Sequence, residues 1–221
     1  SGNDWLLLDA TGQTLTTARH VVLANACGVQ PLIDGLKAAY PELRPSLALL
    51  PKLHGLRGVL SWGLRQPAHV AALPPFPVNG LGSLIPAVPV AGGVAWYAGA
   101  TYEAADQNAV SQTSQHQINF EKLRSLLPAA AQALAPAFDT GRVQAWSGTR
   151  CVSTDRLPLV GALEGGDTPG LWIIAAMGSR GLSFSMLCAE LLAARLGAEP
   201  LPLEASLARF LTPLRATPPP A

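Results

Sequence analysis

The clearest chemistry in the sequence lies at Gly178-Ser179-Arg180-Gly181, between an apolar segment and a helical pattern. The preceding segment, Leu171 to Met177, has no polar alternation, which indicates a strand covered on both faces in a parallel sheet. Apolar residues then recur at helical spacing as far as Gly197, which supplies the C-terminal stop. A helix that begins at such a turn directs unpaired N–H groups and its positive dipole end outward, which favours an anion or an electron-rich ring. Arg180 adds a positive charge, but many strand-to-helix turns are only turns.

The elements that would position this turn begin near the N-terminus. Trp5 to Leu8 and Thr14 to Thr17, separated by a glycine-containing turn, predict a β-hairpin. Val21 to Gly28 predicts a second buried strand that ends in small residues, among them Ala24 and Asn25. Small residues let a ligand approach the backbone, and they equally permit close packing of a helix on a strand.

The middle of the chain predicts a mostly antiparallel sheet, because short strands alternate with proline turns. A short helix, Leu32 to Tyr40, and a proline-rich connection, Pro41 to Pro51, precede this sheet. The predicted strands include Gly55 to Trp62, Gly80 to Pro86 and Gly93 to Tyr102. Their aromatic residues belong either to the core, which is the default, or to the wall of a pocket, and they are Trp62, Trp96, Tyr97 and Tyr102.

The last part of the chain returns to the first kind of structure. Two helices, Ser114 to Leu127 and Ala129 to Ala135, and a strand, Val143 to Val152, precede a turn at Gly165-Gly166-Asp167. The order predicts a mixed α/β and α+β protein, a partial nucleotide-binding fold with an inserted, mostly antiparallel substrate domain. The expected boundaries are 1–40 and 146–197 for the nucleotide-binding part, 41–145 for the insertion, and 198–221 for a frayed tail that includes Pro218 to Pro220.

The composition indicates a globular protein and excludes several classes. Of the 221 residues 49% are hydrophobic, and 21 glycines and 20 prolines disfavour an all-helical bundle. The most apolar window, Gly82 to Ala100, contains prolines and glycines that a membrane-spanning helix tolerates poorly. Cys27, Cys151 and Cys188 lie far apart in sequence, which favours a reduced, cytoplasmic protein, and the four histidines have no metal-ligand spacing.

Charge is unevenly distributed, although the net charge is only +1. No acidic residue occurs between Glu42 and Glu103. The basic residues of this interval are Arg44, Lys52, Arg57 and Arg65, accompanied by His54 and His69. A positive face is one interpretation, and scattered solvated side chains are the other unless some further feature requires a polyanionic partner.

Three segments together resemble the D-amino-acid oxidase and glycine oxidase family of FAD enzymes: Val21 to Ala26, Gly148 to Gly161, and Ala175 to Leu182. More narrowly, the string from Arg150 to Gly161, the Leu187 to Glu190 segment and the strand from Tyr97 to Tyr102 are similar to one group within it. That group is the oxidoreductase module of bifunctional enzymes that modify the wobble uridine of tRNA. The resemblance covers Trp5 to about Leu211 and is loose from Lys52 to Pro89.

The resemblance implies FAD as the cofactor, with Ala24, Asn25, Gly178, Ser179, Arg180, Gly181 and Leu182 beside it. It also implies that Arg150 pairs with the substrate carboxylate, for which a guanidinium fork is well shaped. The implied reaction is the oxidative removal, as glyoxylate, of the carboxymethyl group from 5-carboxymethylaminomethyl-(2-thio)uridine. The implied partners are a tRNA substrate, which gives weight to the acid-free interval, and a methyltransferase module in the same full-length chain, with no membrane.

One departure from the family's pattern bears on activity. The family opens with a Gly-x-Gly-x-x-Gly turn that binds the FAD pyrophosphate, and the 221 residues contain no such turn. We therefore expect a fragment that is inactive alone and binds FAD weakly or not at all. The alternatives are a small-molecule amino-acid oxidase or dehydrogenase of the same fold, and a non-catalytic binding fragment. For Arg150, the alternative role is a salt bridge to Asp155 or another acidic residue.

Overall fold

The computed structural model describes residues 4–105, 110–163 and 170–215. The turn expected at Gly165-Gly166-Asp167 and the tail from Pro218 to Pro220 lie outside these residues. The expectation of a frayed tail is wrong for residues 198–215, which contain a helix and the buried side chains of Ala208 and Leu211. The strands are β1 (Trp5–Leu8), β2 (Thr14–Ala18), β3 (Val21–Leu23), β4 (Leu53–Leu64), β5 (Val78–Asn79), β6 (Ser83–Val90), β7 (Gly93–Gly99), β8 (Glu103–Ala104), β9 (Gln144–Ser153), β10 (Leu159–Ala162) and β11 (Leu171–Ala175). The α-helices are α1 (Val29–Ala39), α2 (Arg44–Leu47), α3 (Gln112–Leu126), α4 (Pro128–Asp139), α5 (Gly181–Gly197) and α6 (Ala205–Phe210).

The chain folds as two compact units. Unit 1 comprises the described residues up to Gly55 and those from Arg150 onward, and unit 2 comprises those from Leu56 to Thr149. The two boundaries fall within β4 and β9, so both strands contribute residues to each unit.

Unit 1 contains the β1–β2 antiparallel hairpin and a three-stranded sheet in the order β10-β11-β3. β11 pairs with β3 in parallel and with β10 antiparallel, so the sheet is mixed rather than wholly parallel. Ile173 packs with α1 residues in one core cluster, whereas Trp172 and Ile174 pack against a second cluster that contains Leu191 of α5. This arrangement confirms that the apolar segment is a strand covered on both faces.

The predicted strand from Val21 to Gly28 is too long. β3 ends at Leu23, because Ala26 has a positive φ of 53° and the chain turns through a 3-10 segment, Ala26–Gly28. The next helix therefore begins at Val29 instead of Leu32. The proline-rich connection also contains structure that was not predicted, a 3-10 turn at Pro41–Leu43 followed by α2.

Unit 2 contains the antiparallel sheet that the proline-punctuated segment predicts, in the order β5-β6-β7-β4-β8, with β9 paired to β4. The individual bounds differ from the prediction, since β6 runs from Ser83 to Val90 and β7 ends at Gly99. One face of the sheet packs against α3 and α4, where Trp96 is fully buried with Leu123 and Leu134. α4 also extends beyond its predicted end, through Pro136 to Asp139.

Within the residues that the structure describes, no helix is both long and apolar enough to cross a membrane.

Candidate functional site

Two strand-turn-helix units lie side by side in unit 1. β3 leads into α1 and β11 leads into α5, and the parallel register pairs Leu171 with Val21 and Ile173 with Leu23. Parallel strands bring their carboxyl ends to the same edge of a sheet, where open α/β folds bind ligands. The turns that contain Ala24, Asn25 and the residues from Gly178 to Leu182 are therefore neighbours, although more than a hundred residues separate them in sequence.

The turn after β11 has a strained backbone. Ala176 has a φ of 62° and Gly178 a φ of 60°, both in the left-handed region, which costs a non-glycine residue about 1 kcal/mol. The chain then makes one 3-10 turn, Gly178–Arg180, before α5 begins at Gly181. No side chain caps the start of α5, and its first turn carries no acidic residue. The first N–H groups of α5 can therefore donate to a ligand, and the helix dipole favours negative charge there.

The turn after β3 has a similar shape. Ala26 is strained in the same way as Ala176, and the N–H of Gly28 donates to the carbonyl oxygen of Asn25 at 3.0 Å. The Asn25 side chain folds over Gly28, since a Cβ at Gly28 would lie 2.7 Å from its Nδ2. Glycine at this position therefore permits the close approach, which is the role that small residues were expected to have at the end of this strand.

The end of β9 runs beside both turns. The Cys151 thiol lies close enough to Cys27 and to the backbone of Ala176 for both to affect its pKa. Val152 approaches the other turn, because a Cβ at Gly178 would lie 3.3 Å from its Cγ1. Burial, followed by the neighbouring Cys27, raises the pKa of Cys151 to about 12, so this thiol stays protonated. These two cysteines are far apart in the sequence, so their proximity was not predicted.

Arg150 is half-buried and directly precedes Cys151 on β9. Successive strand residues point to opposite faces, so Arg150 faces away from the Cys27 side of the strand. Asp155, the acidic residue considered as an alternative partner for Arg150, binds Arg215, with its Oδ2 2.7 Å from Nε and its Oδ1 2.8 Å from Nη2. Burial by itself would raise the pKa of Asp155, but hydrogen bonds from Arg215, Ser153 and the Leu157 N–H lower it to about 2.

The other residues of the α5 turn are exposed. Ser179 and Arg180 are accessible, and Leu182 is 96% exposed. The Arg180 guanidinium lies over the Phe184 ring at 4.8 Å, a cation–π contact that holds it along the helix. This contact gives Arg180 a structural partner within its own element.

Tyr97 and Tyr102 belong to unit 2. Tyr97 is half-buried on the sheet face opposite Trp96 and stacks on Trp62 at 5.6 Å with an interplanar angle of 16°. Tyr102 is 53% exposed, with Lys122 Nζ 5.5 Å from its ring centroid. The aromatic residues of this sheet thus lie in two different environments. Trp96 belongs to the core, whereas the Trp62–Tyr97 stack lies outside it.

Sequence reasoning missed a polar network between the unit 2 sheet and α3. Fully buried Ser61 lies 2.7 Å from His116 Nδ1 and accepts a hydrogen bond from Asn119 Nδ2 at 3.0 Å. Burial lowers the pKa of His116, which favours the neutral ring. In the sequence, the signal for this network was a polar residue, His116, on the inward side of α3. Its partner Ser61 on β4 is 55 residues away, so the contact could not be predicted. No three potential metal-ligand side chains cluster anywhere in the described part of the chain.

The fold and the paired turns agree with a family match. The chain belongs to the family described as FAD dependent oxidoreductase, whose model matches residues 1–195. Members of this family depend on FAD, which confirms the cofactor and the enzyme class expected from the resemblance.

Two longer proteins are similar to nearly the whole of this chain. It is 48% identical over 214 residues to the tRNA 5-methylaminomethyl-2-thiouridine biosynthesis bifunctional protein MnmC of Albidiferax ferrireducens, covering 95% of this chain and 35% of that protein. The corresponding protein of Polaromonas naphthalenivorans is 46% identical over 213 residues, covering 96% and 32%. The chain thus spans about a third of the length of these relatives.

Solved structures of low sequence identity share the fold. Iminodiacetate oxidase from Chelativorans sp. BNC1 superposes with a TM-score of 0.63 at 14% identity, over 96% of this chain and 50% of that one. Glycine oxidase from Geobacillus kaustophilus gives a TM-score of 0.60 at 21% identity, over 96% and 48%. The predicted fold class is confirmed.

Proposed function

We propose that this chain is part of the oxidoreductase module of a bifunctional tRNA-modifying enzyme. The module would oxidise 5-carboxymethylaminomethyl-(2-thio)uridine at the wobble position and release the carboxymethyl group as glyoxylate. The observation that carries the proposal is the adjacent pair of strand-turn-helix units with Arg150 on the strand beside them. The names of relatives at 48% and 46% identity support the nature of the substrate.

The residues of the paired turns suit the ring end of FAD. The uncapped N–H groups at the start of α5 are donors to the electron-rich side of a flavin, and the dipole of this 17-residue helix stabilises negative charge there. Ala24 and Asn25, on the neighbouring turn, supply a small-residue surface that lets a ring approach the backbone. When bound, FAD supplies a two-electron acceptor. Gly178, Ser179, Gly181 and Leu182 are assigned to this contact, with Arg180 at its exposed margin.

Substrate orientation is assigned to Arg150. Its guanidinium can form two parallel hydrogen bonds to the carboxylate of the carboxymethyl group, which fixes the direction of the adjacent carbon as well as neutralising the charge. Oxidation of the bond between that carbon and nitrogen gives an imine, and water hydrolyses it to the amine and glyoxylate. Such a reaction depends more on substrate position than on a protein acid or base. Tyr97 and Tyr102 are proposed as walls of the substrate pocket.

The whole enzyme would contain more than these residues. We propose that the methyltransferase module and the remainder of the FAD site lie elsewhere in the full-length protein, which acts on tRNA in the cytoplasm. The extent of the relatives supports this, since the chain covers only 35% and 32% of their lengths. The 221 residues alone are then expected to be inactive.

A flavin-reduction experiment tests the substrate. The full-length protein is mixed anaerobically with tRNA that carries the 5-carboxymethylaminomethyl group, with unmodified tRNA, or with free glycine, and the flavin absorbance is followed. We expect bleaching with the modified tRNA alone, accompanied by glyoxylate. Bleaching by glycine at a comparable rate would instead identify a small-molecule amino-acid oxidase.

A further inference from the structure

A cavity lined by both polar and apolar residues lies within unit 2. It has a volume of about 490 Å³, in the range of small-ligand pockets. It lies where β4, β7 and the end of α4 meet, and its lining includes Gly63, Gln66, His69, Trp96, Arg142 and Gln144. None of the described lining residues is acidic.

One lining residue of this cavity, Trp96, has a buried hydrogen-bond donor without a partner. Trp96 is 0% exposed, and its indole Nε1 has no hydrogen-bond partner. That nitrogen would be 3.5 Å from a Cβ on Gly63, so the donor lies at the wall that Gly63 forms. Since an unsatisfied buried donor costs about 1 to 3 kcal/mol, the Trp96 indole indicates a missing acceptor at this wall.

Among the described lining residues, the charged side chain is that of Arg142. Arg142 is exposed at the rim, and Arg65 is close enough to His69 to act on it electrostatically. The pKa of His69 is lowered by burial and then by the Arg65 charge. His69 Nδ1 accepts from the Gln66 N–H at 3.1 Å, which leaves the other ring nitrogen of the neutral side chain as a further donor. Cations and N–H donors without a carboxylate select an anion that is rich in acceptors.

We propose that this cavity binds a backbone phosphate of the RNA substrate, with Arg142 and the amide of Gln144 as its accessible contacts. The assignment rests on the proposed tRNA substrate, and part of the cavity lining, including Gly63, His69 and Trp96, belongs to the acid-free interval. A phosphodiester offers several oxygens to fixed N–H donors, and arginine binds it through two of them. We assign an RNA phosphate rather than a base because Arg142, the charged residue of the described lining, is a cation and bases carry no charge for it to neutralise.

Binding of fluorescently labelled tRNA to the full-length protein tests the site, measured as anisotropy over a series of salt concentrations. Arg142→Ala and Gln144→Glu should each weaken binding about tenfold, the effect of removing one charge-assisted hydrogen bond. In Arg142→Ala, the slope of log K against log salt should fall in magnitude by about 0.7 to 0.9, because one phosphate is no longer neutralised. The matched control is Arg124→Ala, which removes the same charge from an exposed position on α3 that is already paired with Glu121 at 2.5 Å.

The outcomes separate this site from the proposed function. Unchanged affinity and salt slope in both variants of an enzyme that oxidises modified tRNA would overturn the phosphate site alone. Equal losses in Arg124→Ala would also overturn it, since they would indicate only a general effect of charge. If inorganic phosphate at constant ionic strength raises the Tm of the wild type but not of Arg142→Ala, and tRNA affinity is the same in both, the cavity binds free phosphate and the RNA assignment fails. Lack of oxidation with modified tRNA would count against the proposed function itself.

Discussion

The Arg215 side chain connects several segments of unit 1 through an ion pair and hydrogen bonds. Its guanidinium binds both carboxylate oxygens of Asp155 and donates to the carbonyl oxygens of Leu157, Pro158 and Thr212. Both charged side chains are only 5% exposed. Burying two charges is costly, and this pair tolerates it because all three guanidinium nitrogens and both carboxylate oxygens are hydrogen-bonded. The partner of Asp155 lies 60 residues away, which is why sequence reasoning considered the nearby Arg150 instead.

Removal of Arg215 should destabilise unit 1 strongly. Arg215→Ala leaves a buried carboxylate without its cation, and we expect a loss of about 3 to 5 kcal/mol in the free energy of unfolding. Urea denaturation followed by circular dichroism measures it. Arg209→Ala, an exposed arginine of α6, is the matched control and should change stability by less than about 0.5 kcal/mol. Equal effects of the two substitutions would show that the ion pair is not the cause.

The proposed role of Arg150 gives a prediction at the same scale. In the full-length enzyme, Arg150→Ala should lower kcat/KM for the carboxymethylated tRNA. The decrease should correspond to a loss of about 1.5 to 3 kcal/mol in transition-state stabilisation, the contribution of a charged hydrogen bond. Arg150→Lys should recover only part of it, since a lysine cannot form the bidentate contact. The affinity for tRNA that lacks the carboxymethyl group should be unaffected. An unchanged KM and kcat would exclude Arg150 as the carboxylate anchor.

The pairing of β3 with β11 depends on a glycine at the start of β11. Gly170 has a φ of 95°, and a Cβ there would lie 2.0 Å from the carbonyl oxygen of Arg19. Its own carbonyl accepts from the Val21 N–H at 2.8 Å, the first bond between the two strands. The close approach therefore sets the register that brings the two turns together.

Gly170→Ala should separate these strands. The backbone must move to accommodate the methyl group, and we expect a loss of at least about 2 kcal/mol with a lower Tm. Gly35→Ala is the control within the same unit, because it lies in α1, has ordinary backbone angles and has open space around its Cβ position. That change should stabilise α1 by about 0.5 to 1 kcal/mol. A Gly170→Ala variant as stable as the wild type would show that the approach of Arg19 is not required.

The sequence predicted these elements better than their junctions. Local patterns were sufficient for β11, the glycine turn and α5, because apolar runs and helical spacing are properties of neighbouring residues. They failed at Val21 to Gly28, where a positive φ at Ala26 ends the strand early and no glycine marks the position. Contacts such as Cys27 with Cys151, or Ser61 with His116, depend on the tertiary fold and leave no periodic signal. The elements that carry the candidate residues were therefore predicted, while the tertiary contacts of those residues were not.

At the scale of the whole molecule, the two units carry different titratable groups. Unit 2 holds His116 and His69, whose pKa values are both lowered by burial. Ser61 Oγ accepts from Asn119, so its hydroxyl proton is directed at His116 Nδ1, which must remain unprotonated to accept it. Unit 1 holds Asp155, whose pKa is lowered to about 2. Each unit therefore loses stability in its own range of pH.

As the pH is lowered, unit 2 should lose stability at a higher pH than unit 1. A histidine whose folded pKa is depressed below 6.5 favours folding above that pH, and its contribution is lost as the pH falls through 6.5 towards the folded pKa. The contribution of Asp155 persists until the pH falls below about 4 and is lost on the way to about 2. Hydrogen exchange, corrected for its intrinsic pH dependence, should show protection in α3 and β4 falling between about pH 7.5 and 5.5 while β10 and β11 stay protected.

The control variant is His116→Gln, which keeps an acceptor for Ser61 but does not titrate. It should make the protection of α3 less dependent on pH. Equal loss of protection in both units over this range, or an unaltered response in His116→Gln, would show that the buried histidine does not control the stability of unit 2.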